Sequence, residues 1–207
     1  MITSRWVAAC VVLAVMGAVS LRSPAGQAAD SPVLAKAYFA GGCFWCMEEA
    51  FEKVAGVTAV VSGYMGGTVK SPSYEDVSSG RTGHAESVEV QYEPSKVSYS
   101  QLLEAFWRNV DPVTANAQFC DHGSQYRAAI FYRNEEEKQA AEDSKRAIEQ
   151  SKRFKEPIVT QLTPAGEFYP AEEYHQDFYK KNPIRYKFYK YNCGRAQRLE
   201  VLWGGGQ

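Results

Sequence analysis

Residues 33–54 read VLAKAYFAGGCFWCMEEAFEKV, and the change of rhythm inside them decides the fold class. Residues 33–40 are mostly apolar and moderately β-prone, and Gly41-Gly42 closes them, which predicts a short strand. From Cys43 onward, Phe44, Met47, Phe51 and Val54 recur at steps of three and four, so 43–54 is predicted helical, with Gly56 just past its end. Working outward, 57–64 is rich in Val and Thr and predicts a second strand, closed by Gly66-Gly67. Residues 69–84 are polar, carry Pro72 and several glycines and serines, and read as a long loop.

Val88, Val90 and Tyr92 alternate on one face of a half-buried strand at 87–93. Ser98 caps a helix to about residue 110, with Leu102, Leu103, Phe106 and Val110 on its apolar side and Pro112 beyond it. Residues 111–125 read as irregular, 128–132 as a strand, and Asn134 caps a charged helix through 151. A strand at 158–162 and a helix at 171–180 follow, and then an aromatic, basic tail from Tyr186. This order predicts one α+β domain. It has a mixed β-sheet with flanking helices (a ferredoxin-like two-layer α/β core), long functional loops and an irregular C-terminal tail.

Arg5, an apolar run over 6–20, and small residues at Gly26, Ala28 and Ala29 have the layout of a secretory signal peptide. The expected division is a signal over 1–29 and a catalytic domain over 30–207, exported to the periplasm or another extracytoplasmic space; an uncleaved anchor is the alternative. A net charge of −1 argues against a nucleic-acid partner. Of the five cysteines, Cys10 falls in the leader, which leaves Cys43, Cys46, Cys120 and Cys193. Four over this length are too sparse for a disulfide scaffold, so reactive thiols or a metal site are the better readings.

The chemistry centres on Gly41-Gly42-Cys43-Phe44-Trp45-Cys46. A cysteine in the first turn of a helix meets unpaired N–H groups and the positive end of the macrodipole, which favour the thiolate. Glu48 and Glu49 oppose this by repulsion, and the plainer alternative is that Cys43 is a buried small hydrophobe. Phe44 and Trp45 suggest an apolar pocket, since adjacent helix positions point about 100° apart and cannot both turn inward.

These residues resemble the nucleophile motif of the A-type peptide methionine sulfoxide reductases. Further segments match that family in order: Gly63-Tyr64-Met65-Gly66-Gly67, Ser73-Tyr74-Glu75-Asp76-Val77 and Gly83-His84-Ala85-Glu86, then Asp121-His122-Gly123-Ser124-Gln125-Tyr126-Arg127 and Glu173-Tyr174-His175-Gln176. The resemblance implies that Cys43 attacks the sulfoxide sulfur and becomes a sulfenic acid. It implies that Glu86 supplies the proton, that Tyr74 and Tyr126 hydrogen-bond the oxygen, and that Asp121 holds the network. Phe44 and Trp45 would enclose the methyl group and so select the S epimer of methionine sulfoxide, in peptides, in proteins and as the free amino acid. The biological role implied is protein repair after oxidative damage.

A second thiol must resolve the sulfenic acid before further oxidation. Cys46 and Cys193 compete. The family's C-terminal recycling cysteines favour Cys193, whereas the family often has glycine where this chain has Cys46. Cys120 reads as a packed bystander, and His84, His122 and His175 as network residues. No cofactor or metal is expected; electrons would come from a thioredoxin-like reductant by thiol exchange. A monomer with no stable membrane partner is expected. Two competing readings stand beside this one: a thioredoxin-type thiol–disulfide oxidoreductase, and a zinc module built on Cys43, Cys46, Cys120 and Cys193.

Overall fold

A computed structural model describes residues 33–204; the expected signal segment, 1–29, lies outside the described residues. The strands are β1 (Ala35–Gly41), β2 (Val57–Met65), β3 (Ala85–Tyr92), β4 (Ala117–Gln118), β5 (Asp121–His122), β6 (Ala128–Tyr132), β7 (Gln161–Pro164) and β8 (Tyr169–Pro170). The helices are α1 (Phe44–Glu52), α2 (Tyr74–Ser78), α3 (Tyr99–Arg108), α4 (Glu135–Gln150), α5 (Phe178–Lys181), α6 (Pro183–Asn192) and α7 (Arg195–Trp203), with single 3₁₀ turns at Ser124–Tyr126 and Glu173–His175.

Six strands form one mixed sheet in the order β7-β6-β1-β3-β2-β8, and β4 and β5 form a separate hairpin. The inner four, β6-β1-β3-β2, pair antiparallel, and β7 joins β6 in parallel. With α1 and α3 between them, these four strands have the ferredoxin-like arrangement expected from the element order. Alternation in β1 sends Ala37 and Phe39 to the helix-covered face and Ala40 to the other. Phe39 stacks on Phe51 of α1 at 4.8 Å and on Phe106 of α3 at 5.4 Å, so aromatic contacts from all three elements fix α1 against the sheet. Phe44, Met47, Phe51, Leu102, Leu103, Phe106 and Val110 are all buried, the faces that the helical period picked out. Ser98 and Asn134 cap their helices through side-chain oxygens, Ser98 in a capping box with Gln101.

Several expectations need correction. The C-terminal tail is helical, not irregular: Pro183 stands in the first turn of α6, and Gly194, at φ 67°, carries the chain from α6 into α7. The helix expected over 171–180 is broken by Asp177, whose φ of 54° separates the 3₁₀ turn from α5. The loop over 69–84 contains α2, nucleated by a capping box between Ser73 and Asp76. The strand expected at 158–162 begins later, at Gln161, where pairing with β6 is available. Among the described residues, no helix is long and apolar enough to cross a membrane.

Candidate active site

β1 ends at Gly41, in the middle of the sheet, and the chain turns at once into α1. Gly42 takes φ +81°, and a Cβ there would sit 2.5 Å from Cβ of buried Gln118. At Gly41 a Cβ would lie 2.6 Å from Sδ of Met47. The turn therefore excludes side chains at both positions. Gly42→Ala is expected to destabilise the fold by about 3 kcal/mol, from left-handed strain plus overpacking. Thermal unfolding checks this, and an unchanged midpoint would contradict the steric account.

Cys43 is the N-cap of α1, one position before the first turn, and its side chain caps nothing. The N–H of Phe44 instead donates to Oε2 of Glu86 at 3.0 Å. Glu86 thus takes the helix terminus that was expected to stabilise the Cys43 thiolate. Only 6 % of Cys43 is exposed. Burial pushes its thiol well above the ordinary value, and a hydrogen bond with Cys46 adds to the shift. The helix end does not by itself hold Cys43 as a thiolate in this state, because Glu86 occupies the Phe44 N–H and burial opposes the charge. Cys46 is drawn down to about 6 by its interaction with Cys43, against burial, with help from Arg195, Tyr186 and Lys190, so the two thiols titrate as one pair.

The flanking acids do not repel a thiolate as expected. Burial pushes Glu48 up to about 7, where it accepts from Ser62 and from the Asp177 N–H. Glu49 lies between Lys53 and Lys190, 2.8 and 2.5 Å from their ammonium groups.

Cys43 opens into a cavity of about 60 Å³ lined by Phe44, Trp45, Tyr74, Glu86, Asp121, Tyr126 and Tyr189. Every substrate-binding residue named from the sequence is in that set, together with Cys43 and Glu86. Glu86 projects from β3, and burial pushes its carboxyl up to about 8; the Phe44 N–H pulls the other way and Asp121 adds to the rise. It is therefore a neutral acid at neutral pH. Burial also raises Tyr74, to about 12, and Tyr126 further, so both keep their O–H donors. Trp45 stacks on Phe178 at 3.7 Å, and its indole N–H donates to Nδ1 of His175.

Sequence reasoning missed three contributors. Tyr189 of α6 donates to Oδ2 of Asp121 at 2.5 Å and lines the Cys43 cavity. Glu172 accepts from the Tyr74 N–H and the Tyr64 hydroxyl, which fixes the start of α2. Phe178 backs Trp45. Tyr189 and Phe178 stand among many aromatics with no period to single them out. The histidines occupy different settings. His84 joins the Gly67 N–H to the Val69 carbonyl, His175 packs between Phe44 and Tyr74, and His122 is exposed.

Cys193 is joined to Cys120 in a disulfide, while Cys43 and Cys46 are free. Cys120 is thus a bonded partner and not a bystander. In this state the Cys193 sulfur is unavailable to Cys43. The four-cysteine zinc set is dissolved for the same reason, since two of its ligands are bonded to each other.

The pattern of the family described as peptide methionine sulfoxide reductase matches residues 35–205. The chain is 51 % identical over 172 residues to the peptide methionine sulfoxide reductase MsrA of Listeria innocua, covering 83 % of this chain and 97 % of that protein. It is 51 % identical over 168 residues to the protein of that name from Bacillus subtilis, covering 81 % and 95 %. Among solved structures, reduced Mxr1 of Saccharomyces cerevisiae superposes with a TM-score of 0.68 at 31 % identity, over 72 % of this chain and 86 % of that one. Methionine sulfoxide reductase A of Corynebacterium diphtheriae gives 0.65 at 32 % identity, over 75 % and 78 %. These likenesses set aside the thioredoxin-type reading. A sulfur and a neutral carboxylic acid meeting in one small aromatic cavity, and a sequence match that spans the described domain, lead to one conclusion: the chain belongs to the peptide methionine sulfoxide reductase family.

Proposed function

We propose that Cys43 reduces the S epimer of methionine sulfoxide in peptides and proteins, with Glu86 as the acid and Cys46 as both base and resolving thiol. The observation that carries this reading is the Glu86 carboxyl, held at the foot of the Cys43 helix by the Phe44 N–H and facing the same cavity as the thiol.

The steps follow from the protonation states. Cys46, one turn along α1, takes the Cys43 proton, and Cys43 attacks the sulfoxide sulfur. Glu86 protonates the oxygen as negative charge develops there, and Tyr74 and Tyr126 donate hydrogen bonds to it. The oxygen passes to Cys43 as a sulfenic acid and methionine leaves. Phe44 and Trp45 enclose the methyl group, which fixes the face presented to Cys43 and so one epimer. Cys46, now a thiol, attacks the sulfenic acid; a disulfide forms and water leaves. Cys46 takes this part in preference to Cys193 because it is free and one turn along α1 from Cys43, whereas Cys193 is bonded to Cys120.

The pH profile of single-turnover methionine formation tests this reading. The rate should rise with pH through about 6, as the thiol pair loses a proton, and fall through about 8, as Glu86 ionises. A rate that climbs without a falling limb would contradict Glu86 as the acid.

The same proposal has the disulfide reduced by a thioredoxin-like protein. It also has the mature chain act as a monomer outside the cytoplasm, the location resting on the pattern over residues 1–29.

A further inference from the structure

The two sulfurs of α1 meet different surroundings. Cys43 lines the small cavity with Glu86. Cys46, one turn along, lines a separate cavity of about 290 Å³ formed where α7 lies beside α1 and the end of α3. Its wall carries four cations, Lys53, Arg108, Lys190 and Arg195, against two carboxylates, Glu49 and Glu200. Glu49 engages both lysines. The two arginines have no carboxylate partner among the described residues. Arg195 is 3 % exposed and donates only to the Gly41 and Asn109 carbonyls and the Met47 sulfur. Arg108 lies over the Trp203 ring at 5.6 Å. Once Cys46 is in a disulfide it carries no charge, and a buried guanidinium without a counter-charge is then costly unless an anion visits it.

We propose that this cavity admits a small anionic thiol, a mercapto-carboxylate, which attacks Cys46 of the Cys43–Cys46 disulfide. This rests on the reading of Cys46 as the resolving thiol. The arginines take the carboxylate. The volume is at the lower end for small-ligand sites, whereas the Cys43 cavity is several times smaller. The thiolate forms a bond to the Cys46 sulfur; the Cys43–Cys46 bond breaks, and Cys43 leaves into the substrate cavity, where it regains a proton. A second thiolate attacks the small-molecule sulfur of the mixed disulfide and frees Cys46. Two thiols become one disulfide, and the enzyme gains the two electrons. Discharge occurs through a different cavity from the one that takes the substrate.

The test uses protein oxidised by one turnover on a methionine sulfoxide peptide, with the disulfide mapped first. Its reduction is then followed with mercaptopropionate, mercaptoethanol and cysteamine at equal thiolate concentration. Mercaptopropionate should outpace cysteamine by about tenfold at low ionic strength and lose that lead in salt. Mass spectrometry should find the mixed disulfide on Cys46, and Arg108→Gln should remove most of the charge preference. Rates indifferent to charge, or an adduct on Cys43, would overturn the proposal. A map joining Cys43 to Cys193 would instead overturn the underlying reading of Cys46, and the proposal with it. The cavity itself is tested on reduced protein. Relative to their rates with a free thiol, iodoacetate should modify Cys46 faster than iodoacetamide, and equal relative rates would overturn anion recognition there.

Discussion

Cys43→Ser is expected to lower the rate of methionine formation by about 10⁴-fold or more. A serine hydroxyl holds its proton at neutral pH, and Cys46 as a base cannot change that. The deeper obstacle lies in the product. Transfer of the sulfoxide oxygen to a serine would create an oxygen–oxygen bond, whereas transfer to sulfur gives a sulfenic acid. Cys46 cannot replace Cys43, because it lines the other cavity, away from Glu86, Tyr74 and Tyr126. Steady-state turnover on a methionine sulfoxide peptide checks this, and ordinary activity in the variant would contradict the assignment. Fold stability should change little, since the Cys43 side chain caps nothing in α1.

Glu86→Gln should slow the first step by about 10²- to 10⁴-fold, the usual range for losing a positioned acid. Glutamine can still accept from the Phe44 N–H, so the helix start is kept and the loss is one of proton supply. The falling limb of the pH profile should vanish with it. Stability should move the other way. The folded carboxyl is raised to about 8, above its unfolded value, so its contribution is full below the unfolded value and is lost as pH rises towards 8. Glutamine has no such dependence. At pH 8 the variant should therefore lose less stability, relative to pH 5, than the parent does. An unchanged single-turnover rate would remove Glu86 from the acid's role.

Those two residues were legible in the sequence for different reasons. Gly41 and Gly42 force the strand-to-helix turn that presents Cys43, whereas Glu86 falls just outside the strand expected at 87–93 and was found through the Gly83-His84-Ala85-Glu86 match to the family. The capping signals at Ser98 and Asn134 were equally readable, since each needs only residues within one turn. The tail was not. In α6, Tyr186 is buried but Ile184, Phe188 and Tyr191 are exposed. The helix is held by tyrosine hydroxyls on Glu49 and Asp121, not by an apolar stripe. No periodicity argument finds such a helix, so Tyr189 was missed with it. The Cys120–Cys193 bond joins positions 73 apart, and that pairing depends on how α6 folds back. The proton balance between Cys43 and Cys46 was also illegible. Burial sets it against the helix dipole, and burial at a single atom is a property of the whole fold.

The most direct measurement is to trap the oxidised sulfur. Cys46→Ser protein, allowed one turnover on a methionine sulfoxide peptide in the presence of dimedone, is digested and its adduct located by mass spectrometry. The account predicts methionine formed together with an adduct confined to Cys43. Methionine formed with Cys43 unmodified, or an adduct on Cys120 or Cys193 in its place, would contradict it.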